Sequence, residues 1–157
     1  MAYNNHNGGH SYGGNNNGNR SFQNAGVPQP LTAMSLPPDY VDKAENIMRK
    51  LIVEWNSRLT TSKLRNILSM VSDIYNREVG RVSESELTEE NQTALQMLRV
   101  RIAYEVKRDE DVGTFSKEAH LIEYIKGLGR DRKKFLAFAH YMEALVAYHR
   151  FYGGSEK

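Results

Sequence analysis

Five histidines, His6, His10, His120, His140 and His149, are the natural first candidates for acid–base or metal chemistry. None belongs to an HExxH pair, the spacing that sets two imidazoles and a glutamate on one helical face around zinc. His6 and His10 are four apart, but they lie in an Asn/Gly-rich stretch that offers no fixed geometry. His140 falls in the most apolar segment of the chain, where a packed core histidine is a better explanation than a catalytic base. The chain has no cysteine, hence no thiolate zinc site and no disulfide framework. The run Asp109-Glu110-Asp111-Val112-Gly113 resembles a calcium loop, which needs Gly at its sixth position and Glu at its twelfth. Counted from Asp109, those positions hold Thr114 and His120, so a solvated acidic loop is expected instead. P-loop, GxGxxG and GxSxG motifs are also missing. The sequence therefore predicts no catalytic residue, no metal and no cofactor.

Positive charge at helix starts is the stronger signal. In Thr61-Ser62-Lys63-Leu64-Arg65-Asn66, Lys63 and Arg65 fall in a first helical turn, and in Arg130-Asp131-Arg132-Lys133-Lys134 four cations crowd another helix start. A helix N-terminus already carries about half a positive charge and amides without intrahelical partners, so each added cation is unfavourable by a few tenths of a kcal/mol. The same arrangement points amides, hydroxyls and cations at one place, where a phosphate turns repulsion into attraction. The expected phosphate contacts are Lys63, Arg65, Arg101, Lys133 and Lys134, with Lys126 and Arg130 next. Arg101 and Arg108 are seven apart and share a helical face, which Glu105 and Asp109 dilute. The competing explanation leaves Lys133 and Lys134 solvated and pairs Arg132 with Asp131 or Glu118. Tyr148 and Tyr152 share a face and can stack on bases, although core or interface packing is the better expectation. His149 and Arg150 suit the C-terminal end of the helix dipole. A net charge of only +2 means that any RNA binding arises from local placement.

These side chains need helices to hold them. No proline follows Pro38, and apolar residues recur at helical spacing. A first helix starts at Asp39, with its stripe running from Val41 to Trp55. A second starts near Thr60-Thr61-Ser62, carries Leu64, Ile67, Leu68, Val71 and Ile74, and stops at Gly80. A third starts near Thr88 and ends before Gly113. A fourth covers 114–126, and a fifth, apolar around much of its circumference, covers 131–152. No period-two alternation predicts a sheet. Residues 1–38, with Asn and Gly runs and one Arg, form an expected disordered tail, and 39–154 form the helical domain, with 155–157 as its end. The lack of any apolar stretch of ~18 residues predicts a soluble, cytoplasmic chain without a membrane partner.

The stretch Tyr141-Met142-Glu143-Ala144-Leu145-Val146-Ala147-Tyr148-His149-Arg150-Phe151-Tyr152-Gly153-Gly154 resembles the C-terminal signature of the small subunit of the type III-A CRISPR effector, the Csm complex. Thr60-Thr61-Ser62-Lys63-Leu64-Arg65-Asn66-Ile67-Leu68, Val71-Ser72-Asp73-Ile74-Tyr75 and Tyr40-Val41-Asp42-Lys43-Ala44-Glu45 resemble the same family. The resemblance covers about residues 39–154. It implies an all-α, compact five-helix bundle. It also implies stacking in several copies beside the backbone subunits that grip the guide RNA, and contact with the large polymerase-like subunit. Such a subunit lines the channel of the guide RNA–target RNA duplex and touches mainly the target strand, without reading sequence and without catalysis. The alternative is a helical adaptor that spaces subunits and never touches RNA.

Overall fold

The computed structural model describes residues 29–157. They form α1 (Tyr40–Arg49), a π-helical turn (Lys50–Glu54), α2 (Thr61–Glu78), α3 (Glu89–Arg108), α4 (Glu110–Glu118), α5 (Leu121–Leu128) and α6 (Arg132–Phe151). Residues 1–28, most of the expected tail and both of its histidines, lie outside the described residues. Among the described residues no strand forms, and Glu86 and Asp131 make only an isolated bridge.

α6 is the central rod. Phe135, Phe138, Tyr141, Met142 and Leu145 are all closed off from solvent, and α1, α2 and α5 pack around them. The Tyr141 hydroxyl finds its partner inside, donating to the Ala119 carbonyl at 3.0 Å. α3 leans on α2 and carries α4 on its other side, closing the bundle through Leu95, Leu98 and Ile102.

The expected fourth helix is two. α3 ends at Arg108, before Gly113 as expected, because the Asp109 carboxylate accepts from the Val112 amide at 3.1 Å and caps a new helix that already contains Gly113. α4 then stops at Glu118, and His120 adopts a left-handed conformation (φ 51°) that reaims the chain into α5. No glycine or proline marks this break. Burial of Ala119 and Leu121 on either side holds it. The bundle therefore has six α-helices among the described residues, against the five expected.

The first stripe also departs from its pattern. Ala44, Met48 and Leu51 are buried, but Val41 and Trp55 are exposed. The cause at Trp55 is the π-turn: its N–H reaches the Lys50 carbonyl, five residues back, at 2.9 Å. The extra residue rotates the indole off the core, and the Lys50 ammonium sits 4.2 Å from its ring centre.

Residues 31–36, placed in the tail by composition, run along α5. The Met34 amide donates to the Glu123 carbonyl at 2.9 Å, Lys126 Nζ donates to the Leu31 carbonyl, and Leu36 packs on the core. Gly127 permits this approach, since a Cβ there would stand 1.8 Å from the Met34 carbonyl oxygen.

The histidine expectations are reversed. His140 is exposed beside Tyr75, with ring centres 5.7 Å apart. His149 is fully buried, its Nε2 2.8 Å from the Leu59 carbonyl and its Nδ1 3.3 Å from the Thr61 hydroxyl. α6 buries Ala139, Tyr141 and Met142 but leaves His140 exposed, whereas the chain's C-terminal return covers His149.

Candidate nucleic-acid interface

The start of α2 is capped by Thr60, whose hydroxyl accepts from the Lys63 amide at 3.3 Å. The next two amides are engaged by the chain's own end. Thr61 N–H donates to the Ser155 carbonyl at 2.8 Å and Ser62 N–H to the Glu156 carbonyl at 3.3 Å. The hydroxyls of Thr61 and Ser62 donate to the same two carbonyls, at 3.2 and 2.7 Å. The expected pool of free amides and hydroxyls for a phosphate is therefore already filled.

α6 begins in the same way. Its cap is Asp131, which accepts from the Lys134 amide at 2.9 Å, and the Arg132 amide donates to the Ser85 carbonyl at 3.0 Å. Arg132 does not pair with Asp131 or Glu118. Its guanidinium turns inward, only 5% exposed, and donates to the carbonyls of Glu78 (2.9 and 2.7 Å) and Val79 (3.1 Å) at the end of α2. Glu118 is held by Lys50 instead, at 2.8 Å. The buried Glu78 carboxylate also receives the Asn91 amide group, the Thr88 N–H and Arg81. Burial alone would raise its pKa, but these hydrogen bonds outweigh burial and hold it below the ordinary value.

Two of the expected RNA contacts come together on the outer side of α2 and α3. Lys63 and Arg101 line one groove of about 390 Å³ with Asn66, Met70 and Arg108. Two carboxylates aim these cations. Lys63 lies 2.5 Å from Asp109, and Glu105 holds both Arg101 (2.9 Å) and Arg108 (3.2 Å). The Lys63 hydrogen bond keeps the Asp109 carboxyl below its usual pKa. Three cations against two acids leave the groove net positive. Its guanidiniums keep free donors, because an arginine carries five N–H groups and Glu105 cannot engage them all. Beside the groove, Tyr104 stands exposed between Arg101 and Arg108, whose guanidinium carbons lie 6.0 and 5.9 Å from its ring centre.

The other expected contacts are dispersed. Arg65 is exposed on α2. Lys126 is tied to Leu31, and Lys134 borders the small hollow that holds Met34 and Gly127. Lys133 is exposed, and Arg130 edges an open depression with Glu89 and Gln92. Arg108, outside the expected contacts, also lines the groove, and its seven-residue spacing from Arg101 is its signal in the sequence. Asn66 in the groove and Tyr104 beside it carry no such pattern in the sequence. Among the described residues, no group of three His, Asp or Glu side chains could hold a metal ion, and no helix is long and apolar enough to cross a membrane.

Comparison with known proteins gives a consistent result. The family described as Csm2 Type III-A matches residues 37–155. The chain is 36% identical over 120 residues to the CRISPR system Cms protein Csm2 of Streptococcus thermophilus, covering 75% of this chain and 94% of that protein. It is also 36% identical over 120 residues to the protein of the same name from Mycobacterium tuberculosis, covering 76% and 95%. The Enterococcus italicus protein of that name is 38% identical over 110 residues, covering 69% and 77%.

Proposed function

Because the chain belongs to the Csm2 family of type III-A CRISPR systems, we propose that it is a non-catalytic RNA-binding small subunit of the type III-A ribonucleoprotein. Several copies stack in the particle, next to the backbone and large polymerase-like subunits. Each copy touches the sugar–phosphate strand of the target RNA along the guide–target duplex. The sequence of the target is read by pairing with the guide, so the subunit needs charge and shape rather than base-edge contacts.

The observation that carries this reading is the groove between α2 and α3, where Lys63, Arg101 and Arg108 converge and are aimed by Glu105 and Asp109. Preorientation matters because a long side chain loses rotamer entropy when it is fixed, and here the ion pairs have already fixed it. Arg65, on the same helix as Lys63, and the dispersed cations Lys126, Arg130, Lys133 and Lys134 are secondary contacts in this reading. Exposed apolar residues on the first and last helices, Val41 and Phe151, support a seam between copies there.

The test is a salt titration of target binding by the assembled ribonucleoprotein. Each phosphate contact on a single strand contributes a slope of about −0.7 in log K against log salt. Replacing Lys63 and Arg101 by Ala should flatten the slope by roughly 1.4 per contributing copy, with helicity unchanged. An unchanged slope and affinity would instead favour the adaptor that spaces subunits without touching RNA, which the same exposed Val41 and Phe151 would serve.

A further inference from the structure

We infer that Tyr104, with Arg101 and Arg108 at its ring, is a stacking platform for one unpaired nucleobase of the RNA strand whose phosphates occupy the neighbouring groove. The inference rests on the RNA reading of that groove and adds a second kind of contact to it.

α3 turns an unusual face outward. Met97 and Val100 are each 56% exposed and Tyr104 58%. At positions 97, 100, 101 and 104 these residues form one stripe with Arg101, over Met70 of α2, around an open hollow of about 420 Å³. A solvated helix surface needs no such residues, so the stripe has a partner. Three observations select a nucleotide strand as that partner. First, the hollow and the basic groove share Met70 and Arg101, so one extended ligand can lie in both. Second, the only aromatic ring in the hollow has a guanidinium within about 6 Å on either side in sequence, at Arg101 and Arg108. Both cations pair with Glu105, at 2.9 and 3.2 Å. Burial of this stripe under an apolar protein surface would desolvate both guanidiniums and Glu105, which a phosphate-bearing strand does not require. Third, every base has a π-face and stacks on tyrosine or guanidinium planes regardless of identity, which suits a subunit that does not read sequence. A paired base has its faces covered by its neighbours, so the platform selects a base that has left the stack.

The experiment uses the assembled ribonucleoprotein and a target RNA carrying 2-aminopurine, walked through successive positions. Stacking on Tyr104 quenches the probe at particular positions. Tyr104→Leu should restore its fluorescence there and weaken binding by about five- to a hundredfold, leaving the salt slope unchanged because no phosphate contact is lost. Tyr104→Phe should keep both quenching and affinity. If Tyr104→Leu changes neither, while Lys63→Ala with Arg101→Ala flattens the slope, the platform is refuted and the groove stands. If neither pair of variants has any effect, the RNA reading fails and the platform with it. Loss of a protein neighbour from the particle in Tyr104→Leu, with the probe still quenched, would assign the stripe to a protein contact and overturn the inference.

Discussion

Gly154 lies flat against the imidazole of His149. A Cβ at Gly154 would fall 2.2 Å from Cε1 and 2.3 Å from Nε2 of that ring, while the Gly154 amide donates to the His149 carbonyl at 2.8 Å. This contact folds the end of the chain back so that Ser155 and Glu156 can close the start of α2.

Gly154→Ala should therefore uncap α2 from a distance. The new methyl cannot coexist with a ring locked between Leu59 and Thr61, so the C-terminal return must lift off. The expected loss is about 1–3 kcal/mol, as for other overpacked sites. The specific sign is faster hydrogen exchange at the Thr61 and Ser62 amides. Protection at those amides equal to the parent's would show that the return is held by something else.

The same ring sets a pH dependence. Burial pushes the His149 pKa below its ordinary value, outweighing the opposing effect of the Leu59 carbonyl, and Arg150 adds to the lowering. The folded state thus binds this proton less readily than the unfolded chain. Stability is full above the unfolded pKa of about 6.5 and falls as the pH drops below it, levelling off once folded His149 also titrates. Urea midpoints should decline between about pH 7 and 5, and His149→Gln should flatten that limb. The lowered pKa values of Glu78 and Asp109 act in a more acidic window, removing stability progressively as the pH falls below about 5. A midpoint constant down to pH 5 in the parent would contradict the burial of a neutral His149.

Glu78→Ala should be the most damaging single change among the buried polar groups. It leaves the Thr88 amide and the Asn91 side chain without their acceptor and strips the carboxylate from beside Arg132, 3.7 Å away. Removing one member of a buried charged set typically costs about 3–5 kcal/mol. A thermal unfolding shift corresponding to less than 1 kcal/mol would mean that water replaces the carboxylate.

Gly127→Ala tests the strap formed by residues 31–36. The obstacle is the Met34 backbone rather than a side-chain tip, so the strap must leave α5 and the Met34–Glu123 hydrogen bond must break. Helicity should persist while protease cleavage within residues 31–36 accelerates. An unaltered cleavage rate would show that the strap shifts along α5 without detaching.

How much of this was legible in the sequence depended on the distance between cause and effect. Thr60, Thr88 and Asp131 announce their helix starts because capping is local, and the side chain of each caps, as its hydroxyl predicts for Thr60. Asp39, expected to cap the first helix, makes no side-chain hydrogen bond to it. Leu64 is fully buried as its spacing predicts, whereas Leu68 on the neighbouring ridge is only partly so, because the stripe edge is fixed by where α6 and α3 lie. The break at His120 was invisible, since a non-glycine residue holds the left-handed turn and only the packing around it says why. Lys63 and Arg101 were each visible as cations, but not their meeting in one groove, which depends on the α2–α3 pairing. The acids read as diluting the charge turned out to aim it. Arg132 pointed the other way altogether, because the carbonyls that need it sit at the end of a helix 53 and 54 residues earlier in the chain.

The π-turn leaves the chain forgiving in length but strict in direction between α1 and α2. Deleting one residue of Lys50–Glu54 should return this turn to ordinary α-helical pairing. The same deletion swivels everything beyond it by roughly 100° about the axis, one helical step. Trp55 then leaves the Lys50 ammonium, and the connection that delivers Thr60 to its cap sets off on the wrong bearing. The surplus residue acts as an aiming spacer, fixing the heading at which α2, with Lys63 on it, enters the bundle.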